Sequence, residues 1–574
     1  MQPPPPSSSS APSRPPSQWL HRINSLFPSD PSHPLQISVR TYSLALLLSL
    51  GPSLVPLVTR RTSRHVLKRV LAREFSPKGF AFSVTLALGG GAFIRELWRL
   101  LDNLDDSDSA PETPARAAAL KLRAWIASRK LSSAQKTFLS NVISSSLGII
   151  LLQAGRAQSS SSSVLRASGK EPGASRTLDL TLLLLVRALD AAVQSFVARK
   201  SGSRRESDAE RPIALQQTAQ ERLASGLRRE ALRTQIDSFV FWACSARIMW
   251  CFFYDPQRLP KSYTKWIHTL AGLDPRLLEA LRLIRTKQWS YRNGSPSHSE
   301  LLRTYARDLG HPAAWGDPAV LPAYGGPQAD KVWTQFGLTS RRGVGGIPCQ
   351  LVHGEVGSSL GLEQSCTANA GLRGIKVFLE AVAIYLPVQF VPVILSRPQA
   401  LLDPRNVLGA ILGALRSATF LTTFVTSYWY SVCVTRSLVF ARLFPFVSHD
   451  FWDGPYGGVL AGCLVCGSSI WIENGRRRGE MALYVLPRAV RACLPAAWVR
   501  GGNAGVRLAE RITFVLSLSS LLTAASHHPH TLRGLSRWGL RFIVKGPTVA
   551  FWKNDDPPKQ KQAALETQRA DSRP

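Results

Sequence analysis

The run RSATFLTTFVTSYWYSVCVTR occupies residues 416–436. Nineteen residues without a charge stand between Arg416 and Arg436, close to the ~20 apolar residues that cross the hydrocarbon of a bilayer as a helix. A related run lies 376 residues earlier, RTYSLALLLSLGPSLVPLVTR at 40–60. Both open with arginine and close with Val-Thr-Arg. The same offset pairs Phe80 with Tyr456, Leu88 with Leu464, Gly91 with Gly467 and Ile94 with Ile470. A third match needs a gap: LLLLVRALDAA (182–192) against LYVLPRAVRAC (483–493), aligning Arg187 with Arg488. A charge inside a membrane segment costs roughly 2.5–3.5 kcal/mol on insertion scales, so shared arginines weigh against chance. The expectation is an internal repeat of two related four-helix bundles, the first carrying an insertion at about 101–176 that is low in complexity.

Apolar blocks of spanning length recur along the chain, at 41–59, 79–98, 178–196, 236–254, 376–396, 406–435, 456–473, 481–498 and 511–525. They predict an all-α polytopic membrane protein with eight to ten membrane segments. The chain carries 70 Lys and Arg against 37 Asp and Glu, a formal charge of +33. No zinc-finger, helix-turn-helix, RNA-recognition or P-loop signature accompanies that charge, so nucleic acid is not the expected partner. Basic loops beside apolar blocks point instead to the lipid bilayer, with anionic lipids at those loops. A second copy of the chain or other organelle membrane proteins are the expected protein partners.

The remaining organisation follows composition. Residues 1–36 are rich in Pro and Ser and are expected to be disordered. The first bundle covers 37–254. Residues 255–373 hold Trp, Pro, Gly and Tyr but no spanning block, and read as a folded segment outside the membrane. The second bundle covers 374–530, and 531–574 is a basic polar tail. The loop 60–78 has seven Lys/Arg and one Glu, and 199–234 has nine against five acids. If the stretch at 115–153 does not span, these two loops lie on the same side.

Small residues mark helix contacts. Gly458 and Gly462 are spaced GxxxG, as are Gly409 and Gly413; Gly91 and Gly467 extend the pattern. Without a hydrophobic drive between helices in lipid, such residues allow close backbone approach. Arg40, Arg187, Asp190, Arg416 and Arg488 are the intramembrane charges, with Arg187 and Asp190 spaced to pair on one helix face. If the halves enclose a polar path, the four arginines should meet in one cavity.

The stretch IPCQLVHGEVGSSLGLEQSC, 347–366, gathers Cys349, His353 and Cys366. A structural zinc wants four ligands and no fourth is evident. A Cys349–Cys366 disulfide suits an oxidising space, and a Cys–His nucleophile pair would need a surrounding active site. Reduced cysteines shaping a docked loop is the reading adopted, with no metal, no cofactor and no catalytic residue expected. Cys463 and Cys466 form CxxC inside an apolar run and read as packing residues. HExxH, GxSxG and phosphate-loop motifs are absent, so no enzyme activity is expected.

Certain residues carry a family likeness. Tyr254-Asp255-Pro256 with Leu259-Pro260, Tyr263 and Trp266-Ile267, then Trp315-Gly316-Asp317-Pro318, then Pro348-Cys349, His353 and Ser365-Cys366 resemble the fungal branch of the transmembrane protein 135 family. ENGRRRGEMALYVLPRA (473–489) is similar to that family's C-terminal signature. The resemblance covers about 240–500. The family is distantly similar to the mitochondrial inner-membrane import channel superfamily and to peroxisomal membrane protein 4. It implies an integral membrane protein of mitochondria or peroxisomes, acting in organelle membrane organisation and lipid metabolism. A transporter or channel is the alternative. The twelve residues between His353 and Cys366 exceed the family's spacing.

Overall fold

The structure, a computed structural model, describes residues 28, 30–58, 71–72, 74–77, 79–102, 131–160, 177–209, 219–339, 341–396, 398–500 and 503–546. The expectations for most of residues 1–36, for the loop near 60–70, for much of 101–176 and for the tail beyond 546 lie outside them. Among the described residues the fold is all helical, with one isolated bridge between Ser290 and Gly294 and no strand. Seven helices are long and apolar enough to cross a membrane: Phe80–Leu100, Ser133–Ala154, Leu178–Val197, Gly226–Tyr254, Cys366–Val391, Pro404–Leu443 and Ala504–His527. This composition is that of an integral membrane protein.

Three expected segments form helices outside those seven. Pro34–Val58 is one. Gly458–Cys466, continued by the tight turn Gly467–Ile472, is apolar but short. Gly475–Cys493 carries Arg476, Arg477, Arg478, Glu480, Arg488 and Arg491, too many charges for a span.

Within Ser133–Ser160, Ser133–Ala154 is long and apolar enough to cross a membrane, whereas the topology argument from sequence required that 115–153 not span. Of its serines, Ser140, Ser144 and Ser146 donate to backbone carbonyls, while the Ser145 hydroxyl is buried without a hydrogen-bond partner. Ser140 donates to the carbonyl of Lys136 and Ser146 to that of Val142. Ser144 donates across to the carbonyls of Leu86 and Ala87, at 2.7 and 2.9 Å. A hydroxyl bonded this way costs little in lipid.

The chain divides into two compact units, each assembled from discontinuous stretches. One combines residues 1–170, 188–196 and 508–574. In it the 34–58 helix packs on Phe80–Asp102, which packs on the 133–160 helix. Gly148 permits that approach, because a Cβ there would lie 2.5 Å from the Ala87 methyl. The last span joins the same unit through Arg511 donating to Gln153 (2.7 Å) and His527 against Thr137 (3.1 Å).

The other unit combines residues 171–187 and 197–507. Its centre is an antiparallel pair, Cys366–Ser396 and Pro404–Cys433. Pro404 at the first turn and Asp403, whose carboxylate accepts from the Arg405 amide (3.0 Å), start the second helix, as helix N-termini require. Gly458–Cys466 lies against it, and Ala219–Tyr254 packs on both 458–466 and 475–493. Phe253 stacks on Tyr428 at 5.3 Å and Phe241 meets Phe420 edge-on at 5.7 Å. Between Pro256 and Ser365 no helix exceeds eleven residues. Trp289 and Trp333 are fully buried there, Trp333 donating to the carbonyl of Val344 at 2.5 Å.

The expected small-residue contacts resolve individually. A Cβ at Gly462 would stand 2.7 Å from the Tyr428 ring, and Gly458 faces the carbonyl of Val432 at 3.5 Å. Gly467 meets Trp242 instead, on another helix, and Gly91 meets Asn141. Gly413 touches only the end of the Gln389 side chain. Gly409 is a correction: it is exposed, and a Cβ there meets nothing within 4 Å. The same spacing serves one helix pair and not the other, because the motif states what a face can accept, not what approaches it.

Candidate functional site

A cavity of about 750 Å³ opens within the second unit. Leu183, Ile248, Phe253, Trp266, Leu421 and Val485 line its apolar wall. The charged residues of its lining are Arg488 and Asp179. Asp179 is already matched by Arg491, 2.5 Å away. Arg488 is not matched: its guanidinium lies 3.9 Å over the Tyr484 ring and 5.3 Å from Tyr263, and it donates to the Tyr484 carbonyl. No carboxylate pairs with it among the described residues. An apolar chamber of this size with one unneutralised cation suits an amphiphile with an anionic end.

The other expected charges have separate duties. Arg187 pairs with Glu480 at 3.2 Å, and Asp190 with Arg533 at 3.2 Å, which replaces the expected Arg187–Asp190 pair. Spacing allowed the pair, but each side chain found a partner on a different helix. Arg416 donates to the carbonyl of Ile472 and to Asn474, closing the turn before the 475–493 helix. Arg40 belongs to the first unit and donates to the carbonyls of Gln36 and Phe542. Of the four arginines, Arg488 alone lines the cavity.

The Cys–His loop docks on helix ends. Cys349 and His353 begin and end a five-residue helix, Cys349–His353; Cys366 begins the 366–396 helix. Their ligand atoms lie within 4.8 Å of one another, all buried. The structure adds Cys433, the last residue of the 404–433 helix, with its sulfur 3.6 Å from His353 Nε2. Cys349 and Cys366 sulfurs are 4.0 Å apart, and all eight cysteines are unbonded. The hydrogen bond with Cys366, then burial, push the Cys349 thiol up to about 12, and burial holds the His353 imidazole below its ordinary range. Cys463 and Cys466 are packing residues in the apolar core.

A polar network that sequence reasoning missed surrounds this cluster. Arg436 and Asp453, both buried, form a two-pronged ion pair at 2.7 and 3.1 Å. Tyr291 donates to Asp453 at 2.6 Å, and Arg436 donates to the carbonyl of Ile347 at 3.0 Å. Burial alone would raise the Asp453 carboxyl, but the Arg436 guanidinium overrides it and holds the group well below the usual carboxylate range. His449 lies 3.6 Å from Asp453, too far for a hydrogen bond, and burial holds its imidazole below the ordinary range. Gly346, at φ +70°, lets the loop pass here, since a Cβ would strike the His449 ring.

Set beside protein families, curated proteins and solved structures, the chain matches none.

Proposed function

We propose that the chain is a multi-pass organelle membrane protein of the transmembrane protein 135 type. It acts in mitochondrial or peroxisomal membrane organisation and lipid metabolism, without chemistry of its own, and it does so by holding an anionic lipid. The observation that carries the reading is the 750 Å³ apolar cavity with Arg488 unneutralised in its lining. Acyl carbons fill the wall of Ile248, Leu421 and Val485, and the headgroup neutralises Arg488. The sequence resemblance supports the organelle assignment, and the matching arginine-flanked runs at 40–60 and 416–436 support reading the chain as two related halves. In both halves, the helix that carries the shared arginine packs on a later apolar helix, 34–58 on 80–102 and 404–433 on 458–466.

A continuous polar path is the second reading. The scattered duties of Arg40, Arg187 and Arg416 disfavour it, because a path needs polar groups that converge. The lipid reading is tested with a photoactivatable fatty acid in membranes containing the full chain. Crosslinks should map to the cavity wall and fall when Ser245→Trp fills the chamber. Labelling spread evenly over all apolar helices, unchanged by Ser245→Trp, would refute it. Imaging of a tagged chain against mitochondrial and peroxisomal markers tests the location.

A further inference from the structure

We propose that Cys349, His353, Cys366 and Cys433 form a structural zinc site that clips the extramembranous segment to the ends of two membrane helices. The sequence supplies three donors within eighteen residues and hides the fourth, sixty-seven residues beyond Cys366. The fold brings Cys433 to them, which revises the expectation of no metal.

Two of the six donor–donor edges have the values a tetrahedral ion imposes. With Zn–S near 2.3 Å and Zn–N near 2.0–2.1 Å, tetrahedral edges are about 3.8 Å for S···S and about 3.6 Å for S···N. Cys349 and Cys366 sulfurs are 4.0 Å apart, and Cys433 sulfur is 3.6 Å from His353 Nε2. The Cys433 thiol also meets that of Cys366, and the three cysteines form one buried cluster. Cys349 and His353 stand four residues apart, which places both on one face of their short helix.

The surroundings of the histidine fit a ligand. His353 Nδ1 faces the carbonyl of Glu363 at 2.7 Å, so that nitrogen carries the proton. The Nε2 lone pair is then turned towards the thiols. A metal-bound histidine is oriented in just this way by a carbonyl on its other nitrogen. Arg373 donates to the His353 backbone carbonyl at 2.9 Å and steadies the same turn.

Charge supplies an independent argument. Arg341 is 3% exposed and stacks on Trp333 at 5.1 Å. It donates to Cys349 sulfur at 3.2 Å and to the Gly345 carbonyl, and its Nε has no hydrogen-bond partner. No carboxylate bonds to it among the described residues; Asp453 is taken by Arg436. A buried, uncompensated guanidinium is costly. Zn²⁺ with three thiolates and one neutral imidazole carries a net single negative charge, which matches Arg341. Loading replaces three thiol protons, released to solvent, by one Zn²⁺; no redox step is involved.

The test uses the full chain purified in mild detergent with reductant. Elemental analysis should find about one zinc per chain. Cys433→Ser should reduce it below about a tenth, whereas Cys493→Ser, at an exposed cysteine, should leave it unchanged. Arg341→Gln should weaken retention against a chelator about ten- to a hundredfold. Should Cys433→Ser not fold, cobalt exchanged into the wild type decides. Intense visible bands of tetrahedral Co²⁺ with thiolate charge transfer support the site. A folded wild type without metal, an octahedral cobalt spectrum, or a Cys349–Cys366 disulfide in the non-reduced peptide map would overturn it.

Discussion

Replacing Gly462 with leucine forces a side chain into a contact that has no room for one. An ideal Cβ at this position lies 2.7 and 2.8 Å from two Tyr428 ring carbons and 3.1 Å from the Tyr428 carbonyl oxygen. Ordinary carbon contacts stand at about 3.5–4.0 Å, so the gap is short by roughly 1 Å before the rest of the leucine is added. Tyr428 cannot swing aside. It is buried, stacked on Phe253 at 5.3 Å and set against Trp429 at 6.1 Å. The 404–433 and 458–466 helices must therefore separate. Overpacking costs about 1–3 kcal/mol and occasionally more, while leaving glycine for leucine returns roughly 0.5–1 kcal/mol of helix propensity. The net expectation is a loss of about 1–2 kcal/mol. Gly409→Leu is the matched control, with the same motif, an exposed site and nothing within 4 Å. It should cost nothing and gain up to about 1 kcal/mol. The assay is the fraction of monodisperse protein left after heating in mild detergent. Equal melting of the two variants, or a less stable Gly409→Leu, would refute the packing argument.

Three further outcomes follow. Asp453→Asn leaves the Arg436 charge buried without its counter-charge, so stability should drop by about 3–5 kcal/mol; Arg436→Met combined with Asp453→Leu should recover part of that in the same melting assay, and no recovery would count against a charge effect. His449 faces Asp453, Arg436, Arg341 and the Tyr291 ring, and burial keeps its folded value below the ordinary 6.5. Its contribution is therefore complete above about pH 6.5 and is lost as pH falls below it, because the unfolded chain takes up the proton first; His449→Gln should flatten that acid-side slope in melting curves, and an unchanged slope would contradict the assignment. With Ser133–Ala154 as a span, three crossings separate the basic loops at 60–78 and 199–234, so protease mapping of epitopes placed in them should find opposite faces, and finding the same face would remove that span.

The helices were legible because apolar runs near twenty residues have few other uses. The helix at 133–154 was not, because in sequence it joins the basic stretch before it, Arg116, Lys121, Arg123, Arg129 and Lys130, although by itself it is as apolar as the other candidate spans. Gly462 could be read from spacing; Gly409 has the identical spacing and no neighbour. Cys433 and Arg436 both lie in the opening stretch, yet their roles depend on residues 80 and 17 positions away, His353 and Asp453. In an apolar run a cysteine reads as a small hydrophobe. The cavity had no sequence signal beyond Arg488, since its wall comes from six helices that share no local pattern.

Native mass spectrometry of the full chain, released from membranes in mild detergent, tests the lipid-holding claim most directly. About one tightly held anionic lipid should remain per chain, and Arg488→Ala should lose it while retaining its fold. A wild type that carries no lipid, or carries zwitterionic and anionic lipids equally with or without Arg488, would contradict the account.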